Sequence, residues 1–416
     1  MIGPFGFSNR DVADVASCGL CTGCGLCEAI AGADKIEVTR SDRGFLRPHL
    51  KASVSRPIMK RIMAVCPGVT IGRPPSSARV DLLWGPVTEL KVGHSTDPSL
   101  RFSGSSGGAI SAVAKHLLST GAVDAVVTNS ADPNNPIGNQ TLVLTDPDEV
   151  AVTAGSRYAP SAPLKNIVGT VAKHQRICFI GKPCDVAALR RFSARDRRIA
   201  ERVKYYITFF CAGIPSEHGA TQVVEALGFR KKEIRHFRFR GNGWPGMARA
   251  ETVDDRHNEM SYNDSWGNIL NRHLQFRCKI CPDGIGESAD LVAFDPWETT
   301  DGYPDFEERD GSSGLIARTK TGSRLLSDIE RAGALETVPL AIKHLAQMQP
   351  YQAKRKRATL ARLMGLFSVR FSMPAFYRMR LSWNAMSLRR NNFKEFRATR
   401  RRCLKDEDRE WPRFNE

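Results

Sequence analysis

The stretch SGSSGGAISAVAKHLLSTGAVDAVVTNS, residues 103–130, decides the fold class. It begins with a loop of glycine and serine. Apolar residues at helical spacing follow, among them Val113, Leu117 and Leu118, and they predict a helix. The apolar run at 123–128 then predicts a strand. A helix that leads directly into a buried strand is typical of an α/β protein.

Further segments repeat this alternation. RICFIGKPCDVAALRRF (176–192) predicts a strand at Ile177–Ile180, a tight turn and a helix, and a second strand is predicted at 203–213. Strands that alternate with helices predict a mixed or parallel sheet with helices on its faces. The pattern at 229–262 predicts antiparallel strands, and after Trp297 we expect helix to the end of the chain.

The composition of the 416 residues is that of a globular protein, with 41% hydrophobic and 25% charged residues. We find no run of eighteen apolar residues and no signal segment, so we expect a soluble, cytoplasmic protein without a transmembrane segment. The formal net charge is +17, and such an excess attracts acidic proteins, anionic cofactors, nucleic acid or anionic lipid. The basic stretches at 354–365 and 389–402 lack zinc-finger spacing and aromatic RNA-binding motifs, so nucleic acid is disfavoured.

Four cysteines near the N-terminus have the spacing of an iron–sulfur site. Cys21, Cys24 and Cys27 form C-x2-C-x2-C, and Cys66 directly precedes a proline. This is the ferredoxin pattern, in which three closely spaced thiolates and one remote thiolate hold a [4Fe-4S] cubane. Zinc is an alternative, although it normally uses two separated pairs, and inert thiols are another. Cys18 is then either a structural residue or an alternative ligand.

A second set of cysteines is more dispersed. Cys184 lies in a Gly-Lys-Pro-Cys turn after a strand, Cys211 ends the next strand, and Cys278 and Cys281 form C-x2-C. Because the ends of neighbouring strands converge at one edge of a sheet, these four residues can meet and hold a second cluster. The alternative is that they are small buried hydrophobic residues.

The glycine-serine loop is a candidate anion site. Ser105, Ser106, Gly107 and Gly108 directly precede the predicted helix, so small side chains and exposed N–H groups coincide with the positive end of a helix. This arrangement suits a phosphate or pyrophosphate, but a flexible turn explains the loop equally well. The spacing differs from the G-x-G-x-x-G dinucleotide motif.

Taken together, these motifs resemble the coenzyme F420 hydrogenase/dehydrogenase beta subunit family. The resemblance rests on GLCTGCGLC, CPG, SSGGAISAVAKHLLSTGAVDAVV, AGSRYAPS, GKPCDVAALRR, CAGIPSEHG, FRFRGNGWPG, RCKICPDGIGESADLVAFDPW and GLIARTKTGSRLL, in order from about 18 to 325. Members are iron–sulfur flavoproteins. The resemblance therefore implies a ferredoxin-like [4Fe-4S] domain at 1–76, a mixed-sheet α/β domain that binds FAD at 77–345, and a basic helical extension at 346–416.

The resemblance also implies roles for individual residues. It makes Cys21, Cys24, Cys27 and Cys66 the ligands of the N-terminal cluster. It places FAD against a set of residues from the glycine-serine loop and three later motifs: Arg101, Ser105, Ser106, Gly107, Gly108, Arg157, Tyr158 and Lys182. For the four charged or aromatic members of this set, ordinary packing or solvent exposure is the alternative. Relatives usually carry threonine at position 182 and glycine at position 294, so Lys182 and Phe294 depart from the family pattern.

The implied function is an oxidoreductase. Electrons from ferredoxin or a partner dehydrogenase or hydrogenase subunit would pass through one or two [4Fe-4S] clusters to FAD, and leave as hydride to a small-molecule acceptor of the F420 type or another kind. The catalytic acid is unknown. Two alternatives remain: a redox protein of polysaccharide gene clusters, and a basic protein that binds nucleic acid or membrane surfaces. Assembly into a homo-oligomer is also open.

Overall fold

The computed structural model describes residues 11–76, 78–300, 302–387 and 389–405. The expected first domain and C-terminal extension therefore include segments, 1–10 and 406–416, that lie outside the described residues.

The strands are, in chain order, β1 (Ile36–Arg40), β2 (Leu46–Leu50), β3 (Thr70–Gly72), β4 (Val80–Asp81), β5 (Gly85–Pro86), β6 (Glu89–Ser95), β7 (Ala125–Asp132), β8 (Asn135–Leu144), β9 (Ile177–Ile180), β10 (Val203–Phe209), β11 (Ile234–Arg238), β12 (Ala248–Thr252), β13 (His257–Met260), β14 (Leu291–Phe294), β15 (Thr299–Thr300), β16 (Tyr303–Pro304), β17 (Ser313–Ala317), β18 (Leu335–Pro339) and β19 (Ala375–Tyr377).

The α-helices are α1 (Val12–Ser17), α2 (Leu26–Ala31), α3 (Arg56–Val65), α4 (Pro98–Ser103), α5 (Ala109–Ser119), α6 (Ile167–Lys173), α7 (Pro183–Ser193), α8 (Arg197–Arg202), α9 (Glu217–Ala226), α10 (Phe276–Lys279), α11 (Lys320–Arg331), α12 (Leu345–Met348), α13 (Pro350–Arg370), α14 (Leu381–Met386) and α15 (Arg389–Lys405). Among the helices described, none is long and apolar enough to cross a membrane.

A mixed eight-stranded sheet organises the described chain, with the order β18-β6-β17-β14-β10-β9-β7-β8. The four central strands β14, β10, β9 and β7 are parallel. Antiparallel strands extend both sides, with β8 next to β7, and β17, β6 and β18 beyond β14. The carboxyl ends of the parallel strands therefore meet at one edge of the sheet, where α/β proteins usually bind ligands.

Each face of the sheet packs against its own hydrophobic core. On β9, Ile177 and Phe179 point into a core shared with α6 and α7, whereas Cys178 and Ile180 point into a core shared with α5 and α11. This alternation follows from the pleat, which sends successive side chains to opposite faces. Since helices cover both faces, β9 is apolar throughout and carries no polar position.

The structure confirms the α/β class and the strand Ile177–Ile180, as well as antiparallel strands within 229–262. The expectation of helix from Trp297 to the end of the chain is wrong. β17 and β18 lie in that stretch, and both pair with β6. The segment of β17 is a short apolar run that pairs with β6 as well as with β14, and its local pattern does not distinguish strand from helix.

The N-terminal and C-terminal parts of the described chain contact each other through paired strands. The N-terminal region contains the hairpin of β1 and β2, and its strand β3 pairs in parallel with β19 near the C-terminus. The helices expected for the basic C-terminal region are present as α13 and α15, which pack against each other. The C-terminal region thus contributes a strand beside the segment that follows Cys66.

Candidate cofactor site

A cavity opens at the carboxyl ends of the parallel strands. Its walls include Ile180 at the end of β9, Phe209 and Phe210 at and after the end of β10, and Ala293 and Phe294 in β14. The space between the walls is about 1340 Å³, counting its open mouth. The cavity occupies the position at which open α/β sheets bind cofactors.

The glycine-serine loop and the start of α5 form one wall of the cavity. Ser105, Ser106 and Gly108 line it, and so do Ala109 and Ile110 in the first turn of α5. The first N–H groups of a helix lack partners within the helix and carry its positive end, so this wall attracts anions. Gly108 has a φ of 68°, and a Cβ there would lie 2.4 Å from the carbonyl oxygen of Leu100, so the turn requires glycine.

Lys182 lines the cavity, but its ammonium group is occupied. Its Nζ donates to the carbonyl oxygen of Ser161 at 3.1 Å and to Ser161 Oγ at 2.7 Å, and it forms an ion pair with Asp185 Oδ2 at 2.8 Å. Both charged side chains are buried. Although burial acts to lower it, the pKa of Lys182 is raised by Asp185 and by the cysteines Cys184 and Cys24. Lys182 therefore provides a fixed positive charge beside the cavity.

Arg157 and Tyr158 also line the cavity, and both are anchored by the fold. The guanidinium of Arg157 donates to Asn139 and to three main-chain carbonyl oxygens, those of Pro136, Gly138 and Phe237. Burial lowers the pKa of Arg157 to about 10. Tyr158 packs against Phe239 and Trp266, with ring centroids 5.7 Å and 4.7 Å away.

Two residues of the expected flavin set are not among those lining the cavity. Arg101 donates from Nε to the carbonyl oxygen of Gly311 at 2.9 Å, and the N–H of Gly107 donates to Ser313 Oγ at 2.9 Å. Within the described chain, no histidine lines the cavity either. The sequence offers five possible catalytic acids, and none of them lines the cavity, so the structure singles out none: His94, His116, His174, His218 and Asp283.

Arg240 and Asp295 were missed by the sequence reasoning. Both line the cavity, and the guanidinium of Arg240 forms two hydrogen bonds to Asp295, at 3.0 and 3.1 Å. Arg240 also donates to the carbonyl oxygen of Ser105, and Trp244 Nε1 donates to Asp295 at 2.9 Å. Arg240 thus holds the glycine-serine loop in place. In the sequence, FRFRGNGWPG has Arg238 and Arg240 at alternate positions, but this pattern does not indicate that Arg240 contacts Asp295 or the glycine-serine loop.

The first cysteine set surrounds a single small cavity. Cys21, Cys24, Cys27 and Cys66 all line it. Burial raises the pKa of Cys66 to about 11, and the neighbouring Cys21 adds to the shift. Burial also raises the pKa values of Cys24 and Cys27. Asp185 and then nearby cysteines add to the shift of Cys24, and nearby cysteines add to that of Cys27. The N–H of Gly23 donates to Cys21 Sγ at 3.3 Å.

The second cysteine set also comes together. Cys184 lies in the first turn of α7 after β9, and Cys211 follows β10, which pairs with β9. Burial raises the pKa of Cys211 to about 12, and Cys278 and Cys281 contribute to the shift. Burial likewise raises the pKa of Cys184, with contributions from Asp185, Cys211 and Cys278. Cys211 lines the large cavity as well.

Arg277 lies between the two sets and has few partners. It is 1% exposed, and its Nη2 donates to the carbonyl oxygen of Pro67, the residue after Cys66, at 2.9 Å. Its Nε and Nη1 are buried without a hydrogen-bond partner, and no carboxylate of the described residues pairs with it. Its charge acts to lower the pKa values of Cys66 and Cys281. A buried cation without an anion is costly, so this site favours an anionic group nearby.

Within the described residues, no group of three or more His, Cys, Asp or Glu side chains is arranged to hold one metal ion. An iron–sulfur cubane holds its thiolates farther apart, because each thiolate binds a different iron. Four thiol donors around one cavity, an N–H donor to sulfur and the orphaned guanidinium of Arg277 fit an anionic cluster better than zinc.

Comparison with known proteins identifies two family models in this chain, both of the coenzyme F420 hydrogenase/dehydrogenase beta subunit. The model of the N-terminal part of that subunit matches residues 91–168, and the model of its C-terminal part matches residues 174–343. The two matches together include most of β6, the central strands and the residues that line the cavity. Neither match includes the first cysteine set or α13.

Three curated relatives support the same assignment. The coenzyme F420 hydrogenase subunit beta of Methanothermobacter thermautotrophicus is 23% identical over 267 residues, which are 62% of this chain and 87% of the relative. The F420-dependent formate dehydrogenase 1 subunit beta of Methanococcus maripaludis is 24% identical, and the match includes 60% of this chain and 61% of the relative. The 7-hydroxymethyl chlorophyll a reductase of Oryza sativa is 23% identical, with 56% of this chain matching 47% of it. This chain therefore spans less than two thirds of the latter two.

A solved structure has the same fold. It is a chain of the F420-reducing [NiFe] hydrogenase complex from Methanosarcina barkeri, with a TM-score of 0.53 and 18% identity. The superposition covers 68% of this chain and 96% of that chain.

Proposed function

We propose that this chain, which belongs to the coenzyme F420 hydrogenase/dehydrogenase beta subunit family, is an FAD- and iron–sulfur-dependent oxidoreductase. The relatives named above are oxidoreductases or their subunits, which supports electron transfer as the activity. In our proposal, the first cysteine set holds one [4Fe-4S] cluster, the second set holds another, and the large cavity holds FAD.

One observation carries this proposal. Cys211 belongs both to the second cysteine set and to the wall of the large cavity. Lys182 also lines the cavity, and its charge interacts with Cys184 of the second set and with Cys24 of the first. The cavity and both cysteine sets are therefore neighbours in one continuous region, as an electron path requires.

In this proposal, different residues of the cavity wall contact different parts of the flavin cofactor. When bound, the clusters would supply single-electron transfer and the flavin would supply hydride transfer. The first turn of α5 and the loop residues Ser105 and Ser106 bind the diphosphate of the cofactor. Arg240 holds that loop through the carbonyl oxygen of Ser105. Lys182 supplies positive charge beside the ring system, which favours an anionic reduced form.

The electron donor in this proposal is ferredoxin or a partner subunit with an acidic surface. A surface groove lined by Arg43, Arg272, His218 and His273 also includes Gln275. Gln275 Nε2 donates to Cys278 Sγ at 3.4 Å, so the side chain of Gln275 connects the groove to the second cysteine set. Basic residues in such a place favour an acidic partner. The acceptor is a small organic molecule, of which an F420-type coenzyme is one candidate.

The test is anaerobic purification of the full chain followed by iron and flavin analysis. We expect a broad iron–sulfur absorbance band in the blue, flavin released on denaturation, and about eight iron atoms per chain, four for each cluster. About four iron atoms would limit the chain to one cluster. A colourless protein that contains zinc and no flavin would contradict the proposal.

A further inference from the structure

Helix α13, Pro350–Arg370, lies beyond the last residue that the family models match. It carries much of the basic charge of the C-terminal region. Ala353, Leu363 and Leu366 of α13 are buried and hold the helix against the rest of the chain. Its basic residues therefore occupy fixed positions, and their partners show what they do.

The N-terminal half of α13 binds the main chain at Cys211. Gln352 Nε2 donates to the carbonyl oxygen of Cys211 at 3.1 Å, and Arg355 Nη1 donates to the same oxygen at 3.0 Å. Arg355 Nη2 donates to the carbonyl oxygen of Ala212. No carboxylate of the described residues pairs with Arg355, so its positive charge remains uncompensated beside this cysteine.

The later arginines of α13 bind the other cysteine segments. Arg362 Nη1 donates at 2.7 Å to the carbonyl oxygen of Lys279, which lies between Cys278 and Cys281. Arg362 also forms an ion pair with Glu395 on α15 at 2.8 Å. Arg370 Nη1 donates at 2.6 Å to the carbonyl oxygen of Cys18, three residues before Cys21.

The spacing of these arginines explains how one helix reaches both sets. Arg355, Arg362 and Arg370 are seven and eight residues apart, which is close to two helical turns in each case. They therefore lie along one face of α13. Arg357 is on the same helix, but it forms no hydrogen bond or ion pair within the described part of the chain.

We propose that α13 is an arginine clamp: it fixes the main chain of the second cysteine set and of Cys18, which precedes the first set, and it places positive charge beside the cluster that the second set holds. This inference rests on the proposed function, because it requires the clusters. It assigns a role inside the protein to the basic C-terminal region. Arg355, Arg362 and Arg370 are positioning residues in this role, since they contact the main chain of the cysteine segments.

The physical consequence concerns the reduction potential. A cluster with four thiolate ligands is negatively charged, and reduction adds one further negative charge. A nearby cation stabilises the reduced state more than the oxidised state, so its removal lowers the midpoint potential. Arg355 should have the largest effect, because Glu395 partly neutralises Arg362.

The experiment compares three variants of the full chain, Arg355→Gln, Arg355→Lys and Arg357→Gln, by a redox titration monitored by electron paramagnetic resonance. For Arg355→Gln we expect the reduction equilibrium constant of one cluster to fall about tenfold, which is a shift of about 59 mV to lower potential. Arg355→Lys keeps the charge and should retain most of the parent potential. Arg357→Gln removes a charge from the same helix and should leave the potential unchanged.

The rate at which air bleaches the visible absorbance provides a second measurement. We expect Arg355→Gln to bleach faster than Arg357→Gln, because the carbonyl groups of Cys211 and Ala212 lose their hydrogen bonds from Arg355 and this segment loosens. Equal potentials and equal bleaching rates in these two variants would overturn the clamp. If Arg355→Gln fails to fold, a parent-like potential in Arg355→Lys supports the clamp and a loss of cluster in Arg355→Lys overturns it. A parent protein without iron would instead refute the proposed function.

Discussion

Arg277 and Pro67 are joined by a hydrogen bond of 2.9 Å, from the guanidinium Nη2 to the carbonyl oxygen, although they are 210 residues apart in the sequence. The bond connects the segment of Cys278 to the residue that follows Cys66. It also places a buried guanidinium, with its Nε and Nη1 unpaired, between the two cysteine sets. In a protein without clusters that charge is destabilising, whereas beside two anionic clusters it is stabilising.

The first prediction follows because the charge of Arg277 destabilises the cluster-free protein and stabilises the protein that holds the clusters. Arg277→Met should leave the thermal stability of the cluster-free protein unchanged or higher, because the removal of an uncompensated buried charge offsets the loss of one hydrogen bond to the carbonyl oxygen of Pro67. In the anaerobically purified protein it should lower the iron content by about half or more. Calorimetry of the cluster-free form and iron analysis of the loaded form provide the two measurements.

Arg318→Met is the matched control for Arg277→Met. Arg318 is equally buried, but it donates to the carbonyl oxygens of Trp84, Pro86 and Ile285. Its loss leaves buried carbonyl groups unpaired, each at a cost of about 1–3 kcal/mol, so the cluster-free protein should be less stable. The opposite assignment of the two effects, with Arg277→Met destabilising the cluster-free form and sparing iron, would refute the role of Arg277.

The second prediction separates Cys66 from Cys18. Cys66→Ser should remove the N-terminal cluster and about four iron atoms per chain, since Cys66 lines the same cavity as Cys21, Cys24 and Cys27. Cys18→Ser should retain the full iron content, because Cys18 is not among the residues that line this cavity. Loss of iron in both variants, or in Cys18→Ser alone, would show that the fourth ligand has been misassigned.

The third prediction concerns the buried pair of Lys182 and Asp185. Lys182→Met leaves the Asp185 carboxylate buried without its cation, which should reduce the free energy of unfolding by about 3–5 kcal/mol. Lys182→Met combined with Asp185→Asn removes both charges, and the amide oxygen of asparagine can still accept the hydrogen bond from the main-chain N–H of residue 182. Urea unfolding should therefore find the double variant more stable than Lys182→Met. If the double variant is the less stable one, the two charges do not depend on each other.

The sequence predicted those features whose signal is local. The strand Ile177–Ile180 is a short apolar run bounded by turn residues, and the structure has it at the same residues. The approach of Cys184 and Cys211 could be anticipated, since each follows a strand and neighbouring strands end together. The N–H group of Gly23 approaches Cys21 Sγ because the loop between Cys21 and Cys24 consists of small residues.

Features that depend on distant partners escaped prediction. β17 and β18 pair with β6, which lies more than 200 residues earlier, so their short segments gave no distinctive pattern. Arg240 and Asp295 are 55 residues apart, and either one by itself resembles an ordinary surface charge. The sequence does not indicate the partners of the α13 arginines, because these partners are carbonyl groups up to 352 residues away and main-chain groups have no sequence signature.

The last prediction tests the glycine-serine loop. Ser105→Asp places a carboxylate on the cavity wall beside the first turn of α5, where the proposal puts the diphosphate of FAD. Repulsion between the two anions should weaken flavin binding at least about tenfold, or about 1.4 kcal/mol, while the iron content stays at the parent value. Flavin bound per chain and the dissociation constant for added FAD provide the measurement.

Two control variants separate charge and position from general damage. Ser119→Asp adds the same carboxylate at the exposed C-terminal end of α5, away from the cavity, and should keep its flavin. Ser105→Ala removes the 2.5 Å hydrogen bond between Ser105 Oγ and Ser156 Oγ without adding charge, and should retain most of the flavin affinity. If Ser105→Asp binds FAD as tightly as Ser119→Asp does, the diphosphate lies elsewhere and the start of α5 is a structural turn, the alternative that the sequence left open.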